Sequence, residues 1–234
     1  METTLAAAAD PSWWWFLTLT VSALVLGETP LKRPFRWMET YYHELSHGLA
    51  CLLTGGKVVR IQLNLDGSGV CTTRGGSRIL ILLAGYTGAA LWGSALYLAG
   101  WHIGAGGSHT WLQAELALLA VTTILWVRNL TTLLIIATIA AVYGLALYYG
   151  PVGYLPYLLQ FSGVYVLMNA IRAPLHLIDG QHVGDGAALA DIFKILPEGV
   201  WILLWFAFAL ACLAACALLT LPGLAEWLSL SHIF

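Results

Sequence analysis

Seven apolar stretches set the frame for this chain. They lie near residues 12–27, 37–54, 79–100, 110–127, 130–149, 153–172 and 198–221. A helix needs about 20 apolar residues to cross a bilayer, and most of these runs come close to that length. The joints between them are short and carry glycine and proline, as in ETPLKRPFR, WHIGAGGSH and GPVG. Only 9% of the 234 residues are charged and 59% are hydrophobic, whereas soluble domains are about 25% charged. So few charges cannot cover a water-facing surface. The expectation is an integral, multi-pass membrane protein: one all-α helical bundle of six to seven segments spanning 1–234, with the lipid bilayer as its first partner. A net charge of −2 says little about partners, and no basic run points to nucleic acid. METTLAAAAD has no Lys or Arg ahead of Trp13–Leu26. A secretory signal wants such a positive region, so this first run is read as a retained helix.

One stretch departs from helical patterning. KVVRIQLNLDGSGVCTTR alternates Val59, Ile61, Leu63 and Leu65 with Arg60, Gln62 and Asn64. Period two argues for a strand, and Asp66-Gly67 is a hairpin turn signal. A small β-hairpin near 57–73 is therefore expected to interrupt the bundle.

Arg74, Arg78, Arg128, Arg172 and Lys194 fall on one side with Lys57 and Arg60 if the chain crosses once per apolar segment from residue 79 onward. The loops at 101–109 and 149–153 have no Lys or Arg. The positive-inside rule makes the hairpin side cytoplasmic. Lys32, Arg33 and Arg36 conflict with this scheme if 37–54 crosses fully.

Within 37–54 stands HELSH, residues 43–47. Positions i and i+4 of a helix share one face, so His43 and His47 can both point at one metal ion. Glu44, beside the first histidine, is placed to act on water without ligating. These are the mechanics of H-E-x-x-H, two zinc ligands and a general base. Ionisable groups inside a membrane are costly and mark function. The bland alternative is a polar cluster at a helix end. A catalytic zinc wants a third protein ligand and an open position. The loop at 173–197 offers His176, Asp179, His182, Asp185 and Asp191. Asp191, near Lys194, is read as solvent-facing and the two histidines as loop residues. Asp179 and Asp185 remain, each followed by a glycine that permits close backbone approach.

Other polar or reactive residues have plainer readings. Cys212 and Cys216, one turn apart, could pair on a metal, but buried small hydrophobe is the usual role. Arg128-Asn129 reads as a helix cap, and Glu115 as interfacial. Asn169 either donates to a substrate carbonyl or intermediate, or ties two helices together. Gly85, Gly88 and Gly93 read as close helix contacts.

The segments HELSHGLACLLTGG, DGSGVCTTRGG, LLAGYTGAALWG, WVRNL and GDGAALADIFKILPEGVW carry a family resemblance over about residues 40 to 205. Together they resemble the site-2-protease class of intramembrane metalloproteases, peptidase family M50, in its bacterial M50B-like branch. The resemblance implies one Zn2+ ion held by His43, His47 and Asp185, with Glu44 catalytic. It also implies a membrane-spanning protein as substrate and a bacterial cytoplasmic membrane as location, the active-site side being cytoplasmic. Better-known members carry Asn-x-x-Pro and Leu-Asp-Gly. Asn169, Pro174 and Ile178-Asp179-Gly180 are similar to that pattern, with a longer Asn-to-Asp spacing and Ile for Leu, which keeps Asp179 as an alternative third ligand.

The expected function is a zinc-dependent endopeptidase acting in or near the membrane. A metal-binding or transport protein would distribute ligands along the depth of a passage, and here they concentrate in one helix and one loop. A catalytically inactive protease-like scaffold would have no need of an intact HELSH.

Overall fold

The computed structural model describes residues 13–29, 32–178 and 182–220. All seven apolar segments are helices: α1 (Trp13–Gly27), α2 (Lys32–Leu53), α3 (Arg78–His102), α4 (Gly104–Trp126), α5 (Leu130–Tyr149), α6 (Leu155–Arg172) and α8 (Glu198–Thr220). The loop expected at 173–197 contains one more helix, α7 (Asp185–Phe193), preceded by a 3-10 turn at Ala173–Leu177. Asp179 lies outside the described residues.

Among the described residues, α3, α5 and α8 are each long and apolar enough to cross a membrane. The pair α1 and α2 meets that standard only jointly, with their axes 103° apart. This supports three or four spans. The other segments fall short for compositional reasons. The 15-residue α1 is brief, α2 carries Lys32, Arg33, Arg36, Glu39 and Glu44, and α4 and α6 contain polar residues that the fold uses internally.

The hairpin forms as β1 (Lys57–Leu63) antiparallel to β2 (Gly69–Arg74). A bulge between Val58 and Arg60 changes which residues face inward. Ile61 and Leu63 are buried, but Val59 is exposed and Val58 packs on the core in its place. The alternation read from the sequence thus holds only beyond the bulge. Leu65 sits in the exposed turn. Gly67 takes a positive φ of 86°, and Asp66 Oδ1 accepts from the Ser68 N–H at 2.9 Å. Arg36 packs against Gly67, so the basic start of α2 lies beside the hairpin turn.

The core forms around α3 and α6. Their backbones meet closely at Gly93 and Gly163: a Cβ on Gly93 would fall 2.9 Å from the Leu167 nitrogen. Small residues permit such approach where lipid gives helices no hydrophobic reason to associate. One cluster joins Met38, Tyr41, Tyr42 and Leu45 of α2 to α4, α5 and the hairpin. A second joins Leu19 and Ala23 of α1 to α3, α6 and α8. Cys216 and Cys212 pack in this second cluster as small hydrophobes.

Polar ties fix the register. Tyr42 donates to Glu115 Oε2 at 3.0 Å, and Trp111 Nε1 donates to Oε1 at 3.1 Å. Glu115, read from sequence as interfacial, is thus held inside the bundle. It is 4% exposed, because two donors inside the bundle offset the cost of burying it. Asn129 caps α5 by accepting from the Thr132 N–H at 2.7 Å, and Arg128 donates to the Ile124 and Val127 carbonyls at the end of α4.

The hairpin is secured to α5 at Thr132. Its Oγ1 accepts from the buried Leu63 N–H at 2.9 Å and donates to the Leu63 carbonyl at 3.3 Å. Thr132→Val should leave that N–H without an acceptor. The expected loss is about 1–3 kcal/mol of stability, with faster amide exchange at Leu63, measured by unfolding in detergent and by hydrogen exchange.

Candidate metal centre and active site

HELSH lies in the middle of α2, and the helix does what its spacing requires. The His43 and His47 rings are 4.6 Å apart at 83°, with their Nε2 atoms 3.0 Å from each other. Asp185, the first residue of α7, brings Oδ2 to 3.3 Å from His43 Nε2 and 3.2 Å from His47 Nε2. These three atoms all lie within 4.8 Å of one another. Ligands 2.0–2.2 Å from a tetrahedral ion stand about 3.3–3.6 Å from one another; at 3.0–3.3 Å the two imidazoles and the carboxylate need only slight widening to take one ion. Burial alone would raise the Asp185 pKa. The hydrogen bonds from His43 and His47 outweigh it and hold the carboxyl well below its usual range.

The supporting groups are specific. His47 Nδ1 meets the Ile81 carbonyl at 2.6 Å, which fixes that ring and turns Nε2 inward. Tyr86 sits edge-on to His43, ring centroids 4.4 Å apart, and leans on Trp205 of α8. Gly85 allows α3 to approach: a Cβ there would fall 2.6 Å from His43 Nε2 and from His47 Cε1. Gly184, at φ 116° and ψ −168°, occupies backbone space open essentially to glycine alone and delivers Asp185 to the cluster.

Glu44 is 4% exposed and stands apart from the three-residue cluster. It faces β2, where a Cβ on Gly69 would fall 2.6 Å from its Oε1. The missing side chain at Gly69 lets the hairpin backbone lie directly against this carboxylate.

The remaining candidates are placed elsewhere. Asn169 donates to the Tyr165 carbonyl of its own helix at 2.9 Å, and among the described residues it makes no hydrogen bond to a second helix. His176 and Asp191 are exposed. His182 is exposed and pairs with Glu198 Oε2 at 2.8 Å. Cys212 and Cys216 form no metal cluster among the described residues. Sequence reasoning missed Tyr86 and the Ile81 carbonyl. It singled out Gly85 as a helix contact but not as the residue against the two imidazoles. The only signal was the AGYTG run itself.

The sequence matches the family described as Peptidase M50B-like over residues 16–216. That range contains α2, the hairpin, α3 and α7, the elements that build the cluster. No curated protein and no solved structure matches the chain.

Gly85→Ala should push a methyl group into the two imidazoles and open the cage. Divalent metal retained after dialysis against a mild chelator is expected to fall about 10-fold or more relative to the wild type, the scale of losses when groups that orient ligands are disturbed. Gly144→Ala, whose Cβ would meet nothing within 4 Å, should match the wild type.

Proposed function

The chain belongs to the Peptidase M50B-like family, and we propose that it is a zinc-dependent intramembrane endopeptidase that cuts a membrane-spanning protein in or near its membrane segment. One observation carries this reading. The two histidines of an HExxH helix converge with a carboxylate from a distant helix at metal-ligand spacing, with an unligated glutamate beside them. His43, His47 and Asp185 are the proposed ligands and Glu44 the general base. Two imidazole nitrogens and one carboxylate oxygen are donors that suit zinc.

When bound, zinc would polarise the scissile carbonyl and acidify a water molecule. Glu44 takes a proton from the water as the water oxygen bonds to the carbonyl carbon, and passes that proton to the amine nitrogen as the C–N bond breaks. Burial of Glu44 against the hairpin keeps bulk water from competing. A substrate helix resists cleavage because its carbonyls are already hydrogen-bonded, so it must unwind. The hairpin supports such a step: a strand edge beside Glu44 can take an extended segment as an added strand. The bias of Lys and Arg toward the hairpin side supports a cytoplasmic position for that side, in a bacterial cytoplasmic membrane as the family branch suggests.

Glu44→Gln keeps shape and removes the base. The variant should bind zinc as the wild type does and lose about 10²–10⁴-fold in cleavage, measured on a membrane-spanning reporter in the same liposomes. Cleavage near the wild-type rate would defeat the mechanism. Asp185→Ala should lose far more zinc than Asp179→Ala, and the reverse result would move the third ligand to Asp179. Protonated imidazole cannot ligate, so zinc occupancy should fall as pH drops and recover as it rises. Metal analysis after equilibration across a pH series checks the sign.

A further inference from the structure

The two histidine ligands are unequally supported. His47 Nδ1 is held by the Ile81 carbonyl at 2.6 Å. His43 directs Nε2 at Asp185 and His47, and its Nδ1 has no partner among the described residues. A metal-bound histidine almost always donates its second ring N–H to a carboxylate, a carbonyl or water. One helical turn before His43 stands Glu39. It is only 6% exposed, and its carboxylate makes no hydrogen bond or ion pair among the described residues. Side chains in a helix lean toward its N-terminus. The His47 ring therefore leans over His43, and the His43 ring over the turn that begins at Glu39. Of the charged groups around Glu39, His43 bears on it most strongly, ahead of Arg36 and Glu44. A buried glutamate inside a membrane bundle is costly unless used, and Glu115, the comparable case, has two donors.

We propose that Glu39 is the positioning residue of the metal centre: it accepts the His43 Nδ1–H when metal is bound, directly after a side-chain rotation or through one bridging water. This rests on the metal site proposed above. It makes α2 a relay of three groups at i, i+4 and i+8, with carboxylate, ligand and ligand on one face. The role touches neither substrate nor the reacting atoms. It fixes the His43 tautomer and strengthens its donation.

The test is metal affinity in the full-length protein in detergent, by chelator competition with zinc and by the visible spectrum of the cobalt-loaded form. Glu39→Ala should weaken zinc binding about 10–100-fold. Glu39→Gln keeps volume and an accepting oxygen, so it should fold, lose less affinity, and still shift the cobalt bands. Glu115→Gln, a buried glutamate away from the cluster, should leave both readouts at wild-type values. Wild-type affinity and spectrum in both Glu39 variants would overturn the proposal, as would an equal loss in Glu115→Gln. A wild type that takes up neither metal would overturn the proposed metal site, and this role with it. Metal uptake that is intact but indifferent to Glu39 would overturn this role alone.

Discussion

The approach of α3 to α2 at Gly85 is the contact on which the site depends. Two imidazoles and a carboxylate converge in a mostly apolar bundle, and each would be expensive there alone. The structure solves this by packing them so tightly that each is a partner of the others. That requires a neighbouring helix with no side chain at the point of contact. Gly85 supplies the space, Ile81 one turn earlier supplies the carbonyl that holds His47, and Tyr86 packs on His43. Any larger residue at 85 would separate α2 from α3 and remove the carbonyl along with the clearance.

The hairpin completes the enclosure from the other side. Gly69 brings β2 onto Glu44, and Thr132 fastens β1 to α5. Glu44 and the histidines project from the same helix in different directions, the glutamate toward the strands and the imidazoles toward α3 and α7. The separation is a consequence of the helical angle between adjacent residues. It explains how a glutamate next to a clustered histidine in sequence stays out of the cluster.

Much of this was legible in sequence because it rests on short-range periodicity. Seven apolar runs become seven helices, period two marks the hairpin, and the spacing of four places His43 and His47 on one face. What was not legible depends on distance in space. Asp185 could not be derived from spacing, and only the family resemblance separated it from Asp179. The helix it begins was hidden in a stretch rich in glycine and proline. The bulge at Val58 to Arg60 exchanged one valine for another at the core. The burial of Glu115 was not legible: Trp111 stands one turn earlier on the same helix, but Tyr42 reaches the carboxylate only through the packing of α2 on α4.

These polar ties also explain why hydropathy undercounts the bundle. Apolar surface gives neighbouring helices little reason to prefer each other over lipid, so register must come from close packing and hydrogen bonds. In α4 that role falls to Glu115 and to Thr122, which bonds to Tyr41 at 3.0 Å. In α6 it falls to Gln160, which accepts from Trp15 at 2.6 Å and donates to the Gly100 carbonyl at 2.9 Å. Each such bond is worth only about 0.6 kcal/mol on average. Their value is geometric. Tyr41 and Tyr42 set the register of α2 against α4, and Gln160 sets α6 against α1 and α3. The residues that lower the hydropathy of α4 and α6 are therefore those that hold the helices in register.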